Sequence, residues 1–225
     1  MDGLLLIDKP AGWTSFDVVA RVRGIIKAET GQRVKIGHTG TLDPAATGLL
    51  ILVLGKYTKR AGEFSKLDKT YEAEVILGKT SSTGDSEGEI VQKSDTKPTV
   101  GQVEEVLHTF LGEISQTPPA FSAIKVGGQR AYKLARQGKE VKLQPRKVTV
   151  HRLQVTEYEY PILKFSTEVS SGTYIRSLAA DIGAKLGTGA YLSGLRRTQV
   201  GKFYIENALK VEDLSFSDIE KRLQK

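Results

Sequence analysis

Apolar positions along the chain recur with a period near two in some stretches and near 3.6 in others, and these changes mark out the elements. Leu4 to Ile7 is a short apolar run stopped by Lys9-Pro10-Ala11-Gly12, a strand running into a turn. Thr14, with Asp17 three residues on, has the pattern of a capping box, and Phe16, Val18, Val19, Val22, Ile25 and Ile26 then repeat at helical spacing until Gly31. A helix is predicted there. The segment Lys35 to Gly48 holds three glycines, three threonines and a proline, an irregular loop that opens directly into Leu49 to Leu54. Six successive apolar residues suit a strand buried on both faces, with Phe16 and its neighbours on the first helix expected to cover one of them.

Further on, Tyr71, Ala73, Val75 and Leu77 alternate with Thr70, Glu72 and Glu74, which predicts a strand from Lys69 to Leu77 with one wet face. Thr80 to Asp95, with two glycines and four acids, reads as an exposed loop. Thr99 and Gln102 repeat the capping box ahead of Val103, Val106, Leu107 and Phe110, with Gly112 as the stop. After Pro118-Pro119 come an extended stretch Phe121 to Val126, a turn at Gly127-Gly128 and a short helix from Arg130 to Gln137. Strands are expected at Lys147 to Thr156 and at Leu163 to Ser170. A helix with the buried stripe Ile175, Leu178, Ala179, Ile182 and Leu186 follows, for which Thr173 is the natural cap, and Val211 to Leu223 fits a closing amphipathic helix. Strands and helices do not alternate in a βαβ rhythm. The fold class expected is therefore α+β, with a mixed, mostly antiparallel sheet decorated by helices. The chain is read as one domain over 1–225, and any seam would fall most easily in the polar stretch from Thr80 to Thr99.

Composition narrows the chemistry. No window approaches the roughly 18 continuous apolar residues that span a bilayer, and the apolar run at Gly3 to Ile7 is too short for a secretory signal. A soluble, cytoplasmic chain with no membrane contact is expected. The absence of cysteine excludes thiolate catalysis, disulfides and thiolate-bound metals. His38, His108 and His151 lack metal-ligand spacing, so neither metal nor cofactor is expected.

The net charge of +7 is concentrated. From Phe121 to Arg152 there are nine cations (Lys125, Arg130, Lys133, Arg136, Lys139, Lys142, Arg146, Lys147 and Arg152) against Glu140 alone, leaving the rest of the chain near neutrality. Such an excess is the footprint of a phosphate-binding surface, although a solvated basic face would look the same. Arg130, Lys133 and Arg136 at i, i+3 spacing would lie along one side of the short helix, and Arg196-Arg197 add a second basic pair.

The densest group of constrained and reactive residues is Gly37-His38-Thr39-Gly40-Thr41-Leu42-Asp43-Pro44. Pro44 pushes Asp43 away from helical geometry, so this carboxylate is pointed; closing an Asx-turn and acting in catalysis are equally good readings of it. The glycines form neither a dinucleotide-binding nor a P-loop pattern. Tyr71 is either core or a ring for stacking on a base. Arg176 falls in the first turn of a helix, where a cation opposes the macrodipole, so a compensating partner is expected: a carboxylate such as Asp43, a phosphate, or solvent.

Taken together these segments resemble the pseudouridine synthases, and within them the TruB family. The resemblance rests on GLLLIDKPAGWTSFDVV at 3–19, KIGHTGTLDPAATGLL at 35–50, KTYEAEVILG at 69–78, QTPPAFSAIKVGGQRAYKLARQG at 116–138, SGTYIRSLAADIG at 171–183 and LRRTQVGKF at 195–203, in order over nearly the whole chain. It implies that Asp43 is the catalytic aspartate, that Tyr71 stacks on the target base, and that Arg176 pairs with the aspartate. It further implies that His38 helps hold an extruded nucleotide, that Lys9 and Pro10 lie near the active site in a packing or chemical role, and that Leu195 is an apolar residue near the pocket. Tyr174, beside Arg176 in the same motif, joins the substrate-binding set. Lys125, Arg130, Lys133, Arg136, Arg146, Arg196 and Arg197 are the expected phosphate contacts.

The implied reaction is isomerisation of uridine 55 in the TΨC arm of tRNA. The bond from ribose C1′ to N1 breaks, the base turns, and a bond to C5 forms, without metal or organic cofactor. Attack at C1′, addition at C6 and a glycal route are all open to Asp43. The partner expected is the tRNA stem-loop, with no obligate protein partner and a monomer as the default. Many relatives continue into a C-terminal PUA module, which the 225 residues do not include. A synthase acting on ribosomal RNA and a non-catalytic RNA-binding or RNA-folding module on the same scaffold are the alternatives.

Overall fold

The computed structural model describes residues 1–224. They form two compact units, Met1–Tyr71 with Leu195–Lys225, and Glu72–Gly194. The division passes through two strands, not through the polar stretch 80–99, which lies wholly inside the second unit.

In chain order the elements up to the first division are β1 (Gly3–Lys9), α1 (Ser15–Thr30), β2 (Ile36–His38), β3 (Thr47–Leu54), α2 (Ala61–Ser65) and β4 (Lys69–Leu77). Next come β5 (Lys79–Ser81), β6 (Ile90–Gln92), α3 (Val100–His108), β7 (Gly112–Gln116), β8 (Lys125–Val126), β9 (Gln129–Arg130) and α4 (Ala131–Arg136). The remainder is β10 (Arg146–Glu159), β11 (Ile162–Val169), α5 (Ile175–Lys185), β12 (Ala190–Val200), β13 (Phe203–Tyr204), β14 (Leu209–Lys210) and α6 (Phe216–Arg222).

The first unit is built on β1 and β3, antiparallel from Gly3 opposite Leu54 to Lys9 opposite Gly48. Parallel partners β14 and β12 flank this pair, and antiparallel β2 shares the β12 side of β3. Alternation sends Leu5, Ile7, Leu50, Leu52 and Leu54 to one face, where Val18, Val19, Val22 and Ile26 of α1 cover them. Leu4, Leu6, Leu49, Ile51 and Val53 pack on the other face with Phe64, Val200 and Phe203. The six-residue apolar run is thus buried on both sides, as its composition implied. One member of the expected cover is absent from it: Phe16 is 61% exposed. The predicted capping box of α1 is formed, with Thr14 Oγ1 accepting from the N–H of Asp17 and the Asp17 carboxylate accepting from the N–H of Thr14.

In the second unit β4, β11, β10 and β7 are neighbours in that order, and β10 is antiparallel to both β11 and β7. Leu163, Phe165, Thr167 and Val169 share the buried face of β11. Gly127 and Gly128 both have positive φ, 56° and 83°, which closes the two-residue turn between β8 and β9. The sheet is mixed and mostly antiparallel with helices packed on it, the α+β class expected.

Several elements depart from the sequence reading, among them strand β2 within the predicted loop 35–48 and the β5–β6 pair within the predicted loop 80–95. Tyr174, not Thr173, is the N-cap of α5, because the Thr173 hydroxyl donates back to the Ser170 carbonyl at 2.9 Å. The closing helix covers only 216–222, because Ser215 caps it, its hydroxyl accepting from the N–H of Asp218. The run 190–200, to which the pattern assigned no element, is a strand. No helix among the described residues is long and apolar enough to cross a membrane.

Candidate active site

Asp43 is half-buried in a loop whose backbone is fixed on both sides of it. On one edge of β3, the pairing with β2 ends at His38 opposite Leu52, and the pairing with β12 covers Thr47 and Gly48. The loop leaves the sheet across the interval between them. Carbonyls exposed by that interval need other donors, and they have them. Ile51 accepts from the N–H of Thr39 at 3.1 Å, and Leu49 accepts from Nε of Arg197 at 2.8 Å. Nη2 of Arg197 also donates to the Gly40 carbonyl at 3.0 Å.

Closer to the carboxylate, Ser15 Oγ at the start of α1 donates to the Leu42 carbonyl (3.1 Å) and accepts from its N–H (2.9 Å). The Pro44 carbonyl accepts from the N–H of Gly12 (2.9 Å) and from Nζ of Lys9 (3.2 Å). Gly48 has φ +105°, and a Cβ there would overlap the backbone of Arg197, so only glycine allows β12 so close to the loop's exit. Asp43 is therefore aimed by contacts to residues 42 and 44, which is what a carboxylate needs in order to meet a substrate in one geometry.

Cations surround this loop at depth. Lys9 is fully buried, and its Nζ donates to the carbonyls of Pro10 (2.9 Å), Trp13 (2.6 Å) and Pro44. Burial pushes its pKa down to about 8, against the pull of the Asp43 carboxylate and with a smaller push from Arg197. Lys69 is buried as well and donates to the carbonyls of Ser65 (3.0 Å) and Leu67 (2.5 Å). Burial and then Arg197 lower its pKa to about 8, with Asp68 opposing. The same two causes lower the pKa of His38, keeping its imidazole neutral at pH 7, and its buried Nδ1 has no hydrogen-bond partner among the described residues.

These placements correct one expected phosphate contact and describe a second. Arg197 is only 2% exposed and its donors go to backbone carbonyls, so it supports the loop and does not face a phosphate. Arg196 is committed to Asp8 in a bidentate pair, 3.2 and 2.7 Å. Leu195 is half-buried and its carbonyl accepts from Thr47 Oγ1 at 3.5 Å, while Tyr71 is 7% exposed at the end of the first unit's share of β4.

The second unit positions Arg176. It lies in the first turn of α5, 6% exposed, and its guanidinium donates to the carbonyls of Thr83 (3.0 Å) and Phe121 (2.7 Å). Asp85 supplies a carboxylate at 3.3 Å. Asp85 is itself oriented by Thr83 Oγ1 (2.5 Å) and the N–H of Glu87 (3.1 Å). Within this unit the compensation that a buried cation at a helix N-terminus requires thus includes Asp85. The polar stretch 80–95, expected to be an exposed loop, meets Arg176 through Thr83 and Asp85. Tyr174 is clamped by Gln116, whose amide accepts from the tyrosine N–H (2.8 Å) and donates to its carbonyl (3.1 Å). Arg146 lies 5.6 Å from the Tyr174 ring centroid.

Of the basic stretch, Lys125, Arg130, Lys133 and Arg136 are exposed, and Lys147 is paired with Glu113 at 2.8 Å. Arg130 is the residue before α4 and donates to the Ala123 carbonyl, so it does not continue the helical row of Lys133 and Arg136. Four supporting residues, two in each unit, were missed in the sequence. Lys69 shares the buried face of β4 with Tyr71 and Ala73, a signal present in the alternation. Ser15, Asp85 and Gln116 carry no such signal, because their partners are 27, 91 and 58 positions away.

Residues 25–175 match the TruB family pseudouridylate synthase (N terminal domain), and residues 176–223 match the tRNA pseudouridylate synthase B C-terminal domain. The chain belongs to the TruB family. The tRNA pseudouridine synthase B of Aquifex aeolicus (strain VF5) is 46% identical over 220 residues, 97% of this chain and 75% of that protein. That of Endomicrobium trichonymphae is 42% identical over 219 residues, 97% of this chain and 93% of its own length. A chain in the crystal structure of a Cbf5-Nop10-Gar1 complex superposes with a TM-score of 0.73 and 32% identity over 94% of this chain, which spans only 53% of that one. The TruB segments meet at 175/176, directly ahead of Arg176.

Proposed function

We propose that this TruB-family tRNA pseudouridine synthase acts on uridine 55 of the TΨC arm, with Asp43 as nucleophile or base at the ribose, Tyr71 stacking on the flipped base and Arg176 serving the ionised carboxylate. The observation that carries the reading is the fixing of the backbone on both sides of Asp43, by Ser15 at Leu42 and by Lys9 and Gly12 at Pro44. A carboxylate held in this way can meet C1′ or the uracil ring without first losing conformational freedom. The glycosidic C1′–N1 bond breaks, C1′ bonds to C5, and the proton lost from C5 is balanced by one gained at N1. Because atoms and electrons are conserved within the nucleotide, no cofactor is required. His38, neutral and half-buried, belongs with the extruded nucleotide, and the exposed cations Lys125, Arg130, Lys133 and Arg136, with Arg146 beside Tyr174, answer RNA phosphates. The enzyme works on this reading as a cytoplasmic monomer.

The deciding experiment incubates the purified protein and its Asp43→Asn variant with an unmodified TΨC stem-loop and maps pseudouridine by position. The parent is expected to modify the loop uridine, and the variant to bind the RNA equally well with turnover reduced at least about a thousandfold. Product from the variant at the parental rate would remove Asp43 from the chemistry. Product only in a ribosomal fragment would move the substrate.

A further inference from the structure

Phe16, misplaced by the hydrophobic pattern, stands where a nucleotide could use it. It is the second residue of α1, 61% exposed, and Arg23 holds its guanidinium 5.9 Å from the ring centroid. In the other cation–ring pairs among the described residues the ring is half-buried or buried. One exposed phenylalanine is by itself ordinary. Here, however, the helix start that carries the ring is tied to the Asp43 loop. Ser15, next to Phe16, binds both backbone groups of Leu42, and Gly12, four residues before Phe16, donates to the carbonyl of Pro44. Arg23 is also anchored, through Nη2 to the Ile36 carbonyl (3.4 Å) in β2, the strand that ends at His38. An exposed aromatic ring on the helix turn that anchors the loop, with a guanidinium held at it, has the two properties that bind an unpaired nucleotide: a π surface that accepts any base and a charge for the adjoining phosphate.

We propose that Phe16 and Arg23 form a stacking platform for an RNA nucleotide that flanks the target uridine. The proposal rests on the reading of the Asp43 loop as an RNA-modifying site. A protein segment is the weaker occupant, because the guanidinium held at the ring offers a charge to the phosphate that adjoins a stacked base.

Steady-state kinetics on the unmodified stem-loop should show Phe16→Ala raising KM about tenfold with kcat changed less than about twofold, since stacking is a binding term. Phe16→Trp should keep the parental KM, and the melting temperature of both variants should be unchanged because the side chain is exposed. An equilibrium titration with the same RNA carrying 2-aminopurine beside the target uridine should show fluorescence quenching by the parent and little by Phe16→Ala. Unchanged KM and unchanged quenching in Phe16→Ala would overturn the platform, as would a loss confined to kcat. A parent that quenches the probe but makes no pseudouridine would support the platform while overturning the assignment of Asp43.

Discussion

In the first unit Lys9, Lys69 and Arg197 are buried and direct their donors to backbone carbonyls, those of Lys9 and Arg197 in and around the Asp43 loop and those of Lys69 at Ser65 and Leu67, whereas in the second unit Lys125, Arg130, Lys133 and Arg136 are exposed. The residue types are the same and the tasks are opposite. A buried cation is costly to desolvate and is kept where fixed dipoles surround it, so removing it disturbs local geometry. An exposed one is cheap and adds to the potential felt by a polyanion. Charge counting along the chain locates the second kind and is blind to the first, which the count assigned to phosphate in the case of Arg197.

Arg176 combines both situations, being buried yet facing a carboxylate, and the largest effect is expected there. Asp85→Ala leaves its guanidinium without that partner and should cost about 3 kcal/mol of stability, together with a fall in kcat; a chemical melt and a turnover assay on the same sample check both. Arg197→Met should cost about 2 kcal/mol, because the Gly40 and Leu49 carbonyls lose their donors while a buried charge is relieved. If denaturation shows Arg197→Met as stable as the parent, the role of Arg197 as a support of the loop is wrong.

Lys9 and Lys69 offer a test by pH. Both have pKa values near 8 in the fold against 10.5 ordinarily. Between these values the unfolded chain holds more protons than the folded one, so the stability contributed by the two lysines rises as pH climbs from about 8 to 10.5. Activity should move the other way, because deprotonation of Lys9 removes the charge beside Asp43 and weakens the tie to Pro44. Lys9→Arg, which stays charged, should remove part of this alkaline fall in kcat/KM. A profile with the same alkaline limb in parent and variant would exclude Lys9 as its source.

The smallest effects belong to the exposed group. Lys133→Ala and Arg136→Ala should each leave stability within about 0.5 kcal/mol, raise KM a few-fold and lower the salt dependence of RNA binding by roughly one ion per residue. A change in melting temperature comparable to that of Arg197→Met would erase the distinction between the two groups.

Much of this was present in one dimension. Periodicity is a local property, and it located β3 with both faces buried, α1 and α3 with their capping boxes, and the buried face of β11. Asp43, pressed between glycines and Pro44, was conspicuous for the same reason: its constraint comes from adjacent residues. Contacts between distant segments are not local. That Ser15 holds Leu42, that Arg197 fills the interval in the edge of β3, that Asp85 meets Arg176 and that Phe16 turns outward depended on which strands became neighbours and in what register. Backbone carbonyls left by that register chose their donors from whatever side chains it brought near, and no spacing along the chain encodes that choice.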